Sequence, residues 1–146
     1  MNQEVGSIMS YIYKIFPVKV YDKPVPEGFQ TPSLYFPEPF VFESPDTVST
    51  FKKTFSLSVK LFHKDSQKAS DEAERIADAI RTKRNLIPLL KPDGEETGDY
   101  IRISRIETRI ADSGVAIIQL TWNSRYYYEK EQYTPLQDVG VDSGVK

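Results

Sequence analysis

The chain has 146 residues and a mass of 16.8 kDa, which is the size of one domain with its own core. Hydrophobic residues make up 39% and charged residues 27%, a balance that excludes a mainly disordered chain. The net charge is −2, so the basic excess typical of nucleic-acid binders is missing. With no cysteine and one histidine, the sequence excludes disulfides, thiolate metal sites, cysteine nucleophiles and multi-histidine metal sites.

Neither a secretory signal nor a membrane span is expected. The residues after Met1 are polar and acidic rather than basic, and no small-residue cleavage site follows. No apolar run approaches the ~18–20 residues that cross a bilayer. We therefore expect a protein made in a cytoplasm-like space, with no membrane as its partner.

An apolar stripe at helical spacing predicts a first helix over residues 3–16, which Pro17 ends. The stripe consists of Val5, Ile8, Ile12, Ile15 and Phe16. Seven of the ten prolines lie between Pro17 and Pro45, which excludes a helix there and limits strands to short or edge positions. Short strands are predicted at 18–21 and 33–36, with a loop at 22–31. Residues 40–42 are either a third strand or the approach to the next one.

Residues 51–63 follow a two-residue period with one apolar and one polar face, which predicts a strand with one buried side. The polar face carries Thr54, Ser56, Ser58 and Lys60. At ~3.3 Å per residue this strand spans about 43 Å, well beyond the usual ~17–20 Å. We expect it to project beyond its own core, where it can meet another subunit.

A second helix is predicted from Asp65 or Ser66 to about Asn85, with Asp65 or Ser66 as its N-cap. Its buried stripe consists of Ala69, Ala73, Ile76, Ala77 and Ile80. Acidic residues come early and basic residues late, an order that suits the helix dipole. Residues 91–99 are predicted to be an exposed, turn-rich loop.

Two strands, Tyr100–Ile110 and Val115–Tyr128, are joined by a tight turn and predict a long antiparallel hairpin. Within the first strand the isoleucines change from odd to even positions, so regular alternation would place them on two different faces. A β-bulge near Ser104–Arg105 would place four isoleucines on one face and three arginines with Glu107 on the other. The isoleucines are Ile101, Ile103, Ile106 and Ile110, and the arginines are Arg102, Arg105 and Arg109. The second strand begins apolar on both faces, so we expect its start to be central or covered.

The order of elements predicts an α+β fold: a mostly antiparallel β-sheet, two α-helices packed on one face, and a long hairpin at the C-terminal end. Residues 1–133 are predicted to form a single domain. Residues 134–146 are polar and contain glycine, and are predicted to be a flexible C-terminal tail.

No motif for catalysis was found, and we expect no enzyme activity. His63 has no motif that supplies a nucleophile and an orienting acid, so a structural or solvated histidine is favoured. Glu74 and Asp78 lie four apart and could share a metal, but the basic residues around them favour a solvated face. No phosphate-binding or nucleophile-elbow motif is present. We assign no catalytic, cofactor-binding or metal residue, and expect no cofactor.

Assembly is better supported than catalysis. The three arginines can contact phosphate, pair with acidic groups of a neighbouring subunit, or pair with Glu107 and other cross-strand partners. Three consecutive tyrosines at the end of the hairpin suit an interface, because each joins an apolar ring to a hydrogen-bonding tip. The candidate interface residues are Thr54, Ser56, Ser58, Lys60, Arg102, Arg105, Arg109, Tyr126, Tyr127 and Tyr128.

From Ile8 to Glu131 the sequence resembles the tail terminator proteins of long-tailed bacteriophages, in the form also found in defective prophages of Gram-positive bacteria. The resemblance is one of pattern and order. It rests on the first helix, FPVKVY at 16–21, PEGF at 26–29, PSLYF at 32–36, the alternating strand 54–62, the helix 71–80 and the hairpin ending at 126–128.

This resemblance implies a structural virion protein that forms a ring, usually a hexamer. Such a ring caps the tail tube, stops its polymerisation and provides the head-docking surface. The implied partners are further copies of the chain, the tail tube protein, a head-completion protein and, in a contractile tail, the sheath. DNA passes through such a ring without sequence-specific binding, and the ring is assembled in the bacterial host cytoplasm. The channel lining is either the Thr54–Lys60 face or the arginine face.

Two alternatives stay open at this stage. One is another neck or tail ring, such as a head-completion, connector or tail-tube protein. The other is a cellular binding domain or small enzyme with no role in a virion.

Overall fold

The computed structural model describes residues 3–127, which form two helices and seven strands. In chain order these are α1 Gln3–Ile15, β1 Lys19–Tyr21, β2 Ser33–Tyr35, β3 Phe40–Pro45, β4 Thr50–Phe62, α2 Ser66–Thr82, β5 Leu86–Leu90, β6 Glu96–Asp112 and β7 Val115–Tyr127. Neither helix in this part of the chain is both long and apolar enough to cross a membrane.

The seven strands form one sheet in the order β1-β2-β4-β7-β6-β5, with β3 paired to β4 beside β2. The pair β1–β2 is parallel and every other pair within residues 3–127 is antiparallel. At the centre, β4 and β7 pair over thirteen residues without a break, from Thr50 opposite Tyr127 to Phe62 opposite Val115. The predicted α+β fold with a mostly antiparallel sheet and a C-terminal hairpin is confirmed.

Both helices pack on one face of this sheet, as the sequence predicts. Side chains at alternate positions of β4, from Phe55 to Leu61, share a single core with the apolar stripes of both helices. Trp122 of β7 is completely buried in this core, and its ring stacks on Phe55 at 5.3 Å. The face toward the helices is therefore the apolar face that the alternation in β4 predicts.

The predicted caps and ends of the helices are largely confirmed. The side chain of Asp65 accepts a hydrogen bond from the Lys68 backbone N–H, the N-cap interaction expected at the start of α2. The predicted end at Asn85 is wrong by three residues, because α2 ends at Thr82. Arg84 and Asn85 have φ angles of 58° and 60°, a left-handed conformation that cannot continue a right-handed helix.

The predicted bulge is present in β6. Ile103 pairs with Trp122, but the next pair in register is Arg105 with Thr121, so Ser104 is the extra residue. All four isoleucines consequently lie on the face toward the helices. Ile110, near the hairpin turn, nevertheless stays 44% exposed.

The segments that flank the long strands differ from the prediction. Residues 86–90 form the edge strand β5, for which no element was predicted and whose apolar run Pro88 interrupts. An edge position tolerates proline, since the missing N–H is not needed for a second neighbour. The loop predicted at 91–99 spans only residues 91–95, because β6 already begins at Glu96. In the proline-rich segment, β3 extends to Pro45 rather than ending at 42.

Gly114 in the β6–β7 turn provides a stability test. Its φ is +71°, and an added Cβ would lie 2.6 Å from the His63 carbonyl oxygen. We expect Gly114→Ala to lower the free energy of unfolding by about 2–4 kcal/mol, through backbone strain and displacement of the β4 end. Chemical denaturation followed by fluorescence of Trp122, the one tryptophan, measures this.

The matched control is Gly94→Ala. Gly94 also has a positive φ, +92°, but nothing lies within 4 Å of an added Cβ. This control should lose only the conformational part, about 1 kcal/mol. Equal losses in the two variants would show that the close approach to His63 contributes nothing.

Candidate assembly interface

The predicted polar face of β4 and the predicted arginine face of β6 form one continuous surface. One row across β4, β7 and β6 consists of Ser56, Thr121 and Arg105. The next two rows consist of Ser58, Gln119 and Glu107, and of Lys60, Ile117 and Arg109. Directly opposed residues in a sheet point to the same side, so both predicted sets lie on the face turned away from the helices, here called the open face. Sequence analysis could not choose between these two sets.

Lateral hydrogen bonds organise the open face. The Gln119 side chain donates to Ser56 Oγ at 2.9 Å, and Thr54 Oγ1 donates to Asn123 Oδ1 at 2.7 Å. Each bond joins β4 to β7 between side chains rather than through the backbone. These four polar side chains thus have partners within the sheet.

The open face is basic along its three central strands. Between Arg102 and Arg109 of β6, Glu107 is the acidic side chain on this face, and it pairs with Arg105 at 3.0 Å. Arg125 pairs with Asp46 of the β3–β4 turn at 2.5 Å. Arg102 and Arg109 are exposed, and Lys52 and Lys60 are partly exposed. This surface therefore suits an acidic partner or a polyanion.

One end of the open face is covered by the segment between β1 and β2. The Phe29 ring lies 4.6 Å from the ring of Phe62, and the Gln30 backbone N–H donates to the Tyr21 hydroxyl at 3.2 Å. Phe62 and Ile117 are buried there although they lie on the open face. The expectation that β7 begins central or covered is thus confirmed, and the predicted loop at 22–31 has a packing role.

The predicted tyrosine contacts fall partly outside the described residues. The backbones of Tyr126 and Tyr127 pair with Phe51 and Thr50 of β4. The side chains of these two tyrosines, all of Tyr128 and the predicted tail at 134–146 lie outside that description.

Helix α1 protects one outer edge of the sheet. The Gln3 side-chain amide donates to the Leu90 carbonyl at 2.9 Å, and the Leu90 N–H donates to Ser7 Oγ at 2.9 Å. These bonds occupy outward-pointing backbone groups of β5, and Pro88 has no N–H to offer. Such devices stop an edge strand from pairing with another chain.

The opposite edge, at β3, has the reverse character. Phe40 is 78% exposed, Val41 49% and Phe42 61%. No strand among residues 3–127 pairs with the outer side of β3. The turn that follows is well ordered by hydrogen bonds, since Thr50 Oγ1 donates to Asp46 Oδ2 and the Thr50 N–H donates to Thr47 Oγ1. A fixed, apolar and unprotected edge is typical of a contact surface. Sequence analysis did not include β3 in the interface, although three consecutive apolar residues were the available signal.

The candidates for chemistry are engaged in local contacts. Nδ1 of His63 accepts a hydrogen bond from the Lys64 N–H at 2.9 Å. Arg81 bridges Glu74 at 3.6 Å and Asp78 at 2.9 Å, so these carboxylates face a cation of their own helix. Among residues 3–127, no group of three or more metal-ligating side chains was found.

A groove of about 520 Å³ lies between α1 and the β5–β6 turn. Its lining includes Gly6, Ser10 and Lys91, without a cluster of ionisable side chains on which catalysis could depend. Burial raises the pKa of the neighbouring Tyr11 phenol, which stays neutral.

A sequence comparison then identifies the family. Residues 5–135 match the family model described as phage tail terminator protein. The chain belongs to the phage tail terminator family. This is a family of structural proteins of phage tails, and the resemblance found in the sequence is therefore confirmed.

Two relatives and one solved structure are similar to this chain. The chain is 58% identical to the phage-like element PBSX protein XkdJ of Bacillus subtilis (strain 168), over 146 residues and the full length of both chains. It is 54% identical to the uncharacterized protein YqbJ of the same organism, again over both full lengths. A chain in the virion of a native gene transfer agent particle shares the fold with a TM-score of 0.50 and 13% identity, covering 85% of this chain and 94% of that one.

The protected edge generates a test. Ser7 is buried, and its hydroxyl donates to the Gln3 carbonyl while it accepts from Leu90. We expect Ser7→Ala to lower the free energy of unfolding by about 1–2 kcal/mol, because the Leu90 N–H loses its acceptor. The control Ser10→Ala, on the half-exposed side of the same helix, should change it by less than about 0.5 kcal/mol. Urea denaturation distinguishes the two, and equal effects would contradict the assigned role of Ser7.

Proposed function

We propose that this member of the tail terminator family closes into a ring of six copies that caps the phage tail tube. The ring stops tail polymerisation and provides the surface on which the head docks. The observation that carries this proposal is the family match over residues 5–135, which spans every described element of the fold except the first two residues of α1.

The surfaces of the subunit support a ring rather than a catalytic role. A ring requires a heterologous interface, in which two different surfaces of the same subunit meet and the rotation between copies closes. The subunit has one protected edge, at β5, and one unprotected apolar edge, at β3. A heterologous interface joins two different surfaces, so it needs a subunit whose edges differ in this way. A self-complementary dimer uses the same surface twice and has no such need.

The proposed partners follow from this position in the virion. They are further copies of the chain, the tail tube protein on one side of the ring and a head-completion or neck protein on the other. In a contractile tail the sheath is a further partner. DNA passes through the ring without sequence-specific contacts, in agreement with a net charge of −2 over the whole chain. We propose no catalytic residue, no cofactor and no membrane contact, and assembly in the bacterial cytoplasm.

The size and shape of the purified protein test this function. We expect closed rings of about 100 kDa, six times the 16.8 kDa chain, by light scattering and negative-stain imaging. Added to growing tail tubes, these rings should bind one end and stop elongation. Long tubes formed by the protein alone would instead identify a tube protein. A monomer that neither binds nor caps tubes would exclude the terminator function and favour a cellular binding domain.

The basic open face supplies a second test. We expect the double variant Arg105→Glu/Arg109→Glu to have a free energy of unfolding within about 1 kcal/mol of the parent, because both side chains are exposed and the Arg105–Glu107 pair that is lost is a surface pair. Ring formation or tube capping should fall at least about tenfold, since charge reversal at an interface introduces like-charge contacts. The control Lys68→Glu reverses an exposed charge on α2, on the other face of the sheet, and should leave both activities unchanged. Loss of folding in the double variant would show that this face is wrongly placed.

A further inference from the structure

A second sheet edge has no neighbouring strand among residues 3–127, on the opposite side of the subunit from β3. Strand β5 pairs with β6 as far as Arg102. At the next residue the Ile103 N–H donates to the Asn85 carbonyl at 2.8 Å, and the Asn85 side-chain amide donates to the Ile103 carbonyl at 3.1 Å. Beyond the bulge, residues 105–112 pair with β7 on one side, and no strand among residues 3–127 pairs with the other. There the guanidinium of Arg81 donates to the Ile106 carbonyl at 3.4 Å, and Thr108 bonds Glu74 of the same helix. Pairing with another strand therefore requires Arg81 to release this one carbonyl. We call residues 105–112 the distal edge.

We propose that β3 of one copy pairs in antiparallel fashion with the distal edge of the next copy. The sheets of neighbouring subunits then join into one continuous sheet around the ring. This inference rests on the proposed ring function and names the two surfaces that build the ring.

The strand directions fit this join. β3 is antiparallel to β4, β4 to β7, and β7 to β6, so β3 and β6 run in opposite directions within one copy. Rotation about a ring axis keeps strand directions relative to that axis. The β6 of the next copy therefore meets β3 as an antiparallel partner, and the open faces continue from one copy into the next.

The positions of the two edges also fit. β3 pairs with residues 51–56 of β4. The distal edge pairs with residues of β7 that in turn pair with residues 56–62 of β4, so the two edges lie at different heights along the strands. Each edge is blocked in its other half, by β2 beside β4 and by β5 beside β6. The two free halves thus lie at diagonal corners of the sheet. Each neighbouring copy would therefore be displaced along the strand direction relative to the one before it.

This diagonal offset has the size that a closed barrel requires. The centres of the two edges differ by five to six residues, or roughly 19 Å along the strands. Each copy contributes four strands, which span about 19 Å across the sheet at ~4.8 Å spacing. The displacement per copy is therefore equal along the strands and across them. For the sheet to close, the strands must then tilt by about 45° from the ring axis, at the upper end of the ~35–45° range of β-barrels. Six copies would then enclose a sheet roughly 50 Å in diameter.

The side chains at the two edges are complementary. Val41 lies on the helix side of β3, and the exposed Ile110 lies on the helix side of the distal edge. Phe40 and Phe42 lie on the open face, on the side that carries Arg105 and Arg109 in β6. The join would bury apolar surface on one side and place aromatic rings beside guanidinium groups on the other, where cation–π contacts are favourable.

The join also assigns the channel lining. The helix layer is about 10 Å thick and needs a larger circumference than the sheet, so it takes the outside of the ring. The open face then lines the channel, with Thr54, Ser56, Ser58 and Lys60 in the same lining as the three arginines. Both sets that the sequence offered as alternatives would face the lumen together.

Disulfide trapping tests the join on a chain that has no cysteine of its own. Two double variants place thiols on the open-face sides of the two edges, Phe42→Cys/Glu107→Cys and Phe42→Cys/Arg109→Cys, for two neighbouring registers. Within one copy these strands are about three strand spacings apart, roughly 14 Å, which exceeds the ~7 Å limit for a disulfide between Cα atoms. Oxidation of assembled rings should give a ladder from dimer to hexamer on a non-reducing gel, for at least one register.

The matched control is Phe42→Cys/Arg102→Cys. Arg102 lies on the same face of the same strand, but it pairs with Leu86 of β5, so it should give less than a tenth of the cross-linked product. Before oxidation, each variant is checked for rings by negative stain, with and without tail tubes. If no ring forms with or without tail tubes, both the proposed function and the proposed pairing of β3 with the distal edge are wrong.

Rings that form but fail to cross-link in either register overturn the join alone. The outer side of β3 would then be occupied by residues 128–146 or by another tail protein. Dimers of the single variant Phe42→Cys would also overturn the join, since they indicate that β3 pairs with β3 in a two-fold contact.

Discussion

The unbroken pairing of β4 with β7 is the constraint on which the rest of the molecule depends. Thirteen consecutive pairs fix the two longest regular strands in one register, so alternate residues of both strands point to the same side. Phe55, Trp122 and their neighbours form the core under the helices, while Thr54, Asn123 and theirs form the open face. A slip of one residue would exchange the two faces, so the core and the candidate interface are specified together.

Local patterns in the sequence predicted the central elements, because the signals there are dense. The two-residue period identified β4, and the helical stripes identified both helices. The change of parity among the isoleucines placed a bulge near Ser104–Arg105, where the structure has it. The prediction was incomplete in the segments that contain proline. No strand was predicted at 86–90, where Pro88 occupies an edge position that tolerates it, and the strand considered at 40–42 extends to Pro45.

The candidate interface could be predicted only in pieces, for a physical reason. Periodicity reports which residues of one strand share a face, but not which strands become neighbours. Lys60 and Arg109 lie 49 positions apart in the chain, and β7 brings them into one row. The difference between the two outer edges is likewise a tertiary property, because Gln3 and Ser7 protect a strand that lies more than eighty residues further along.

The bulge at Ser104 carries a consequence for the radius of any closed assembly. A chain one residue shorter at this point would pair regularly with β7 and keep every later side chain on its present face. The fold would survive, but the strand would lose the extra bend and twist that a bulge introduces. Chain length at this one position therefore tunes the curvature of the sheet independently of its topology.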